Sequence, residues 1–136
     1  MKYMLIMNSP RDGYTQYMSW PKKILEANAA FMAQFSKKLM DAGELVSAAG
    51  LASPEQAKRV RAGKDGKPIT DGVFPESKEF LAGYWIVDVE SPARAFEIAA
   101  EASTAPGLPV TRADGTPIEH LWIEVRAILG GRQELG

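Results

Sequence analysis

His120 is the only histidine in the chain and it stands next to Glu119. A histidine beside a carboxylate can be tuned as an acid/base group near neutral pH. Neighbours on an extended chain point to opposite faces, though, so Glu119 is poorly placed to orient that ring. The competing reading is an imidazole at the surface or at a dimer edge. A second concentration of reactive side chains is Asp71, Glu76, Lys78 and Glu79, all within nine residues. Read as function, it is a polar loop at a cavity mouth, with Asp71 as a base and Lys78 or Arg61 holding an anionic substrate. Read as structure, Asp71-Gly72 makes a side-chain-stabilised turn, Phe74 anchors the loop, and Lys78 and Glu79 tie it down by ion pairs. The structural reading takes precedence, because a loop must satisfy its backbone before it does chemistry.

The third group is Trp122, Glu124 and Arg126, at alternate positions of an extended run whose other positions are apolar. Charges on a covered sheet must be paired. The pairing options are Glu124 with Arg126, either residue with a partner subunit, or either with Arg61 and Asp71. Such a cluster describes a ligand site and a register-fixing dimer pair equally well. The candidate catalytic residues are therefore Asp71 and His120. The candidate ligand-binding residues are Arg61, Asp71, Lys78 and Arg126, with Trp85 and Trp122 as cavity walls. Tyr14, Tyr17 and Trp20, in a turn-rich segment ahead of the first helix, read as a lid or aromatic wall over a cleft or as the hydrophobic staple of the helix entry, the staple taking precedence.

No dinucleotide-binding glycine motif, phosphate loop, HExxH or EF-hand loop occurs, and there is no cysteine. No cofactor and no metal site are expected. Sixteen basic residues face seventeen acidic ones, for a net charge of −1. That balance offers no electrostatic footprint for nucleic acid or for an anionic membrane. Lys22–Lys23 and Lys58, Arg59, Arg61 and Lys64 read as solvated faces. The apolar opening, Met1 to Met7, is too short for a secretory or spanning segment. Together with the missing thiols this points to the cytoplasm.

These residues need a scaffold, and 136 residues with 46% apolar character suffice for one domain with its own core. Residues 1–129 are expected to form that domain, with 130–136 a flexible tail. Tyr3–Met7 reads as a first strand. Ile24, Ala27, Phe31, Phe35 and Leu39 recur at helical spacing between Pro21 and Ala42, with Gly43 as a C-terminal cap. Leu45 and Val46 mark a second strand. Within an inserted segment, 51–80, strand-like arms flank Asp65-Gly66, a hairpin signal, and irregular backbone is expected from Asp71 to Pro75. Leu81–Val89 is a strong strand. Ser91-Pro92 starts a second helix, a loop extends to Pro117, and Leu121–Ile128 is the last strand. The order is α+β: a ferredoxin-like βαββαβ unit with an inserted hairpin and an antiparallel sheet.

In such a unit both helices cover the same sheet face. Alternation sends Trp85 and Val87 to one face and Tyr84 and Ile86 to the other, and it divides Tyr3, Leu5 and Met7 from Met4 and Ile6. The helix-free face is therefore apolar and needs a cover. We expect a homodimer through sheet faces, the alternative cover being the inserted segment itself.

One stretch carries a motif: Val60-Arg61, Asp65-Gly66, then Asp71-Gly72-Val73-Phe74-Pro75-Glu76-Ser77-Lys78-Glu79, then Gly83-Tyr84. It resembles the DGPF-motif branch of the YCII-related family, with Val73 where that family has its eponymous proline. The likeness extends from the Lys2-Tyr3-Met4-Leu5-Ile6 opening through Gly43-Glu44-Leu45 to Ile123-Glu124-Val125-Arg126. The resemblance implies a ferredoxin-like fold assembling as a dimeric α/β barrel, and no established activity. Related proteins are thought to use a His–Asp pair without a cofactor, the histidine lying at the start of the first helix. This chain has Pro21-Lys22-Lys23-Ile24 there. The expectation is an uncharacterised YCII-like protein that binds a small organic molecule or acts as a cofactor-free enzyme, in a cleft between sheet and inserted loop. The rival is a non-catalytic dimerisation or interaction module.

Overall fold

The apolar spacing that marks the first long helix is realised as α2 (Lys22–Asp41), which buries Phe35 and Leu39. Its ends follow from local chemistry. Pro21 sits one place outside the helix, and its carbonyl accepts the N–H groups of Ile24 and Leu25. At the other end Gly43 adopts φ +72°, so that its N–H reaches Met40 O while Glu44 N–H reaches Leu39 O. That pair of bonds is a Schellman cap, and it needs a left-handed residue at Gly43. α3 (Pro92–Ala102) begins as its sequence indicates, with the Ser91 hydroxyl accepting the N–H of Arg94 at 3.2 Å and Pro92 in the first turn.

The computed structural model describes residues 1–72, 79–118 and 121–130. Among them four strands form the main sheet: β1 (Lys2–Ser9), β2 (Leu45–Gly50), β5 (Phe80–Asp88) and β8 (Ile123–Ala127). Their order is β2-β5-β1-β8 and every pairing is antiparallel. The molecule is a mixed α+β fold. On the helix side, Ala48, Trp85, Leu5 and Val125 lie in one row across the sheet. Trp85 meets Phe35 edge-to-face with ring centroids 5.6 Å apart. Ala95, Ile98, Ala99 and Ala102 of α3 complete the core beside Tyr3, Val87 and Val89. Small residues on α3 let that helix settle close to the strands, where Ile98 and Val87 are fully buried.

β3 (Lys58–Ala62) and β4 (Pro68–Gly72) form the expected hairpin, a two-stranded ribbon separate from the main sheet. A 3₁₀ turn, Pro54–Gln56, leads into it.

Four expectations need correction. The segment before α2 is itself helical, α1 (Gly13–Met18). The loop to Pro117 contains a second small hairpin, β6 (Val110–Thr111) with β7 (Pro117–Ile118). β4 continues regular pairing through Asp71 and Gly72, where irregular backbone was expected. The last strand is confined to Ile123–Ala127, leaving Leu121, Trp122 and Ile128 outside it.

Trp20 packs on Tyr17, centroids 5.1 Å apart, and a Cβ on Gly107 would run into its ring. Gln16 fastens the same contact by exchanging two hydrogen bonds with the Thr111 backbone, of 2.8 and 2.7 Å. α1 therefore exists to hold the loop after α3.

Candidate functional site

The chemistry-bearing residues fall into three places. The first is the β3–β4 ribbon. Its register sets Arg59 opposite Asp71 and Arg61 opposite Ile69. Asp71 therefore pairs with Arg59, at 2.8 Å, and not with Arg61. Its other carboxylate oxygen accepts the Gly72 N–H at 2.8 Å, while Arg59 Nε donates to Gly72 O at 2.5 Å. The Gly72 N–H and then the Arg59 guanidinium hold the Asp71 carboxyl below the ordinary Asp value of 3.8. A carboxylate so stabilised is a poor general base, and it acts as a clamp on the end of the ribbon. Arg61 is exposed on the ribbon.

The second place is the helix-free face of the main sheet. Two rows cross it, Ser47–Ile86–Met4–Arg126 and Ala49–Tyr84–Ile6–Glu124. Each row has a small residue at the β2 edge, two large apolar side chains at the centre and a charge at the β8 edge. Arg126 and Glu124 approach each other at 3.8 Å, the first of the pairing options set out above. Trp122, just before β8, is 89% exposed. Trp85 is 6% exposed and faces the helices, so it shares no wall with Trp122 within one chain. Lys78 and His120 lie outside the described residues.

The third place is a groove of about 470 Å³ between the inserted segment and the start of β5. Leu51, Ala52, Pro54, Ala57, Phe80 and Leu81 supply apolar walls, and Ser53 and Gln56 the polar groups. Its floor is tied by Leu51 N–H donating to Ala82 O at 2.8 Å. The Arg11 guanidinium lies over the Phe80 ring, 5.1 Å from its centroid. Such a contact braces the ring that forms one wall.

Two structural residues escaped the sequence reading although their signals were present. Gly83 is the fourth residue of β5, and a Cβ there would stand 2.9 Å from Ala49 O. The edge strand β2 can close on β5 only because position 83 has no side chain. Glu44, next to the Schellman glycine, receives two bonds of 2.8 Å from Arg94. Arg94 holds the Glu44 carboxyl below its ordinary 4.5, and the carboxylate in turn raises the guanidinium.

Among the described residues no three His, Asp or Glu side chains gather as a metal site. No described helix is long and apolar enough to cross a membrane. No curated protein matches the chain. A family model for the YCII-related domain matches residues 1–112, from β1 to the end of β6, and the chain belongs to the YCII-related family.

Proposed function

We propose that the protein is a homodimeric small-molecule-binding protein whose ligand lies in the groove between the sheet and the inserted segment. The groove carries this reading: its 470 Å³ falls in the range of about 300–1,000 Å³ typical of ligand pockets. Its described lining is largely apolar and contains no titratable side chain. Binding of an apolar or aromatic organic molecule suits it better than acid/base chemistry. The strand order β2-β5-β1-β8, with α2 and α3 against one face, supports a ferredoxin-like unit with β3–β4 inserted. The apolar centre of the other face supports its closure on a second copy as a dimeric α/β barrel. Asp71-Gly72-Val73-Phe74 supports the DGPF-motif branch, and the absence of cysteine suits a cytoplasmic location.

Thermal-shift screening with small organic acids and phenols tests the binding reading. A ligand at a hundredfold excess over its Kd stabilises by about 2.7 kcal/mol, which is readily detected. At least one compound should raise Tm, and Leu81→Asp should remove the shift while leaving the oligomeric state intact. Uniform failure of the compounds overturns the reading. The rival, a dimerisation module without a ligand, draws on a different observation. Asp71 is held by Arg59, and Arg126 lies beside Glu124, so the candidate polar groups do not converge on one cavity.

A further inference from the structure

The β3–β4 ribbon is the longer of the two hairpins that stand apart from the main sheet. Every residue of its two strands is exposed except Arg59 and Gly72, which are half-buried. Val60 is 61% and Ile69 43% exposed, and because Val60 faces Thr70 while Ile69 faces Arg61, they lie on opposite faces. Among the described residues no strand of the main sheet pairs with the ribbon. A lone two-stranded hairpin is marginal in water, and apolar side chains on both faces make it a surface awaiting a partner. Its charge says which partner. Lys58, Arg59, Arg61, Lys64 and Lys67 stand against Asp65 and Asp71, so the ribbon carries +3; with the chain at −1, the remainder carries −4.

From this complementarity we infer that the ribbon is a clasp: in the dimer each ribbon lies against the acidic body of the other protomer. The inference rests on the dimer proposed above and adds to it a second contact with a different physical basis. The sheet faces associate chiefly by apolar burial, which salt does not screen. The clasp associates partly by charge and weakens as salt screens it. Tyr84 and Ile86 would supply the first contact, and Val60, Arg61 and Lys64 the second.

Hydrogen exchange measured at micromolar and at nanomolar protein separates the two contacts. The amides of 58–72 should be protected where the protein is dimeric, and should lose protection on dilution or in molar salt. The amides of β1 and β5 report in the same experiment that the body stays folded. The triple charge reversal Arg61→Glu, Lys64→Glu and Lys67→Glu should weaken dimerisation about tenfold or more at low salt and flatten its salt dependence. A stable dimer whose ribbon amides are unprotected, or equally protected at both concentrations, overturns the clasp and leaves the sheet-face dimer standing. A chain that stays monomeric at micromolar concentration overturns both.

Discussion

Glu44 and Arg94 show what a single residue contributes here. Two near-parallel bonds join the turn after α2 to the first turn of α3, fifty residues away in sequence. Bidentate geometry makes this pair stronger than the solvent-facing Lys22–Glu26 or Lys37–Asp41 pairs on α2. The sign of its pH dependence follows from the lowered carboxyl. A group whose folded pKa lies below its unfolded value stabilises the fold above the unfolded value, and that stability is lost as pH falls through the folded value. Stability should therefore decline with acid from about pH 4.5 downward. Glu44→Gln should cost about 1–2 kcal/mol at pH 7 and make the acid limb shallower. Urea denaturation at pH 7 and at pH 3 checks this; a variant whose deficit is the same at both values contradicts it. Asp71 contributes in the same direction from the ribbon, where its neighbours are Gly72 and Arg59.

At the scale of elements, one short sequence is used twice. Asp65-Gly66-Lys67-Pro68 and Asp114-Gly115-Thr116-Pro117 build the same turn. In each, the aspartate Oδ1 accepts the N–H two residues on, at 3.0 Å, and the glycine is left-handed, at φ +81° and +87°. In each, a bond closes the loop from the near side, Gly63 N–H to Lys67 O and Arg112 N–H to Thr116 O. Both glycines have open space where a Cβ would stand, so only backbone conformation is at stake. Gly66→Ala and Gly115→Ala should each weaken their hairpin by about 1–2 kcal/mol. The matching Asn variants should weaken it less, because asparagine tolerates the left-handed region. Exchange rates of the Gly63 and Arg112 amides are the readout, and equal effects of Ala and Asn would contradict the conformational account.

The same pair of hairpins shows where a single sequence is legible. The first was readable because its arms are five residues long and flank a turn signal. The second carries the same four-residue signal, but its strands have two residues each, too few for alternation to appear. α2 and β5 were readable because twenty and nine residues give periodicity room to repeat. α1, at six residues and fastened to a distant loop through Gln16 and the Thr111 backbone, was not. Within the candidate site, the division of Tyr84 and Ile86 from Trp85 and Val87 followed from alternation alone. The partner of Asp71 was not legible: a two-residue turn at Asp65-Gly66 would set Val60 opposite it, and the three-residue loop from Lys64 to Gly66 shifts the register by one and sets Arg59 there. The groove was not legible in its particulars. Leu51, Ser53, Pro54 and Gln56 come together with Phe80 and Leu81 only through the path of the inserted segment, and no periodicity encodes that path.

At the scale of the molecule, the sheet has two faces of different fate. One carries Leu5, Trp85 and Val87 under α2 and α3. The other carries Met4, Ile6, Tyr84 and Ile86, half-buried at its centre, with Trp122 standing out beside the Glu124–Arg126 pair. Full burial of one such apolar side chain is worth roughly 1.5–3 kcal/mol, and the four central ones, each already half covered, retain part of that for association. A charge placed in the middle of the face would remain uncompensated once the face is covered. Ile86→Asp lies between Met4 and Ser47, far from the helix-side core, and should leave the protomer folded. Light scattering coupled to size exclusion, at micromolar protein, is the direct measurement. The account predicts twice the chain mass of 14.8 kDa for the natural sequence and a single chain mass for Ile86→Asp. A natural chain that elutes at 14.8 kDa across the micromolar range contradicts it.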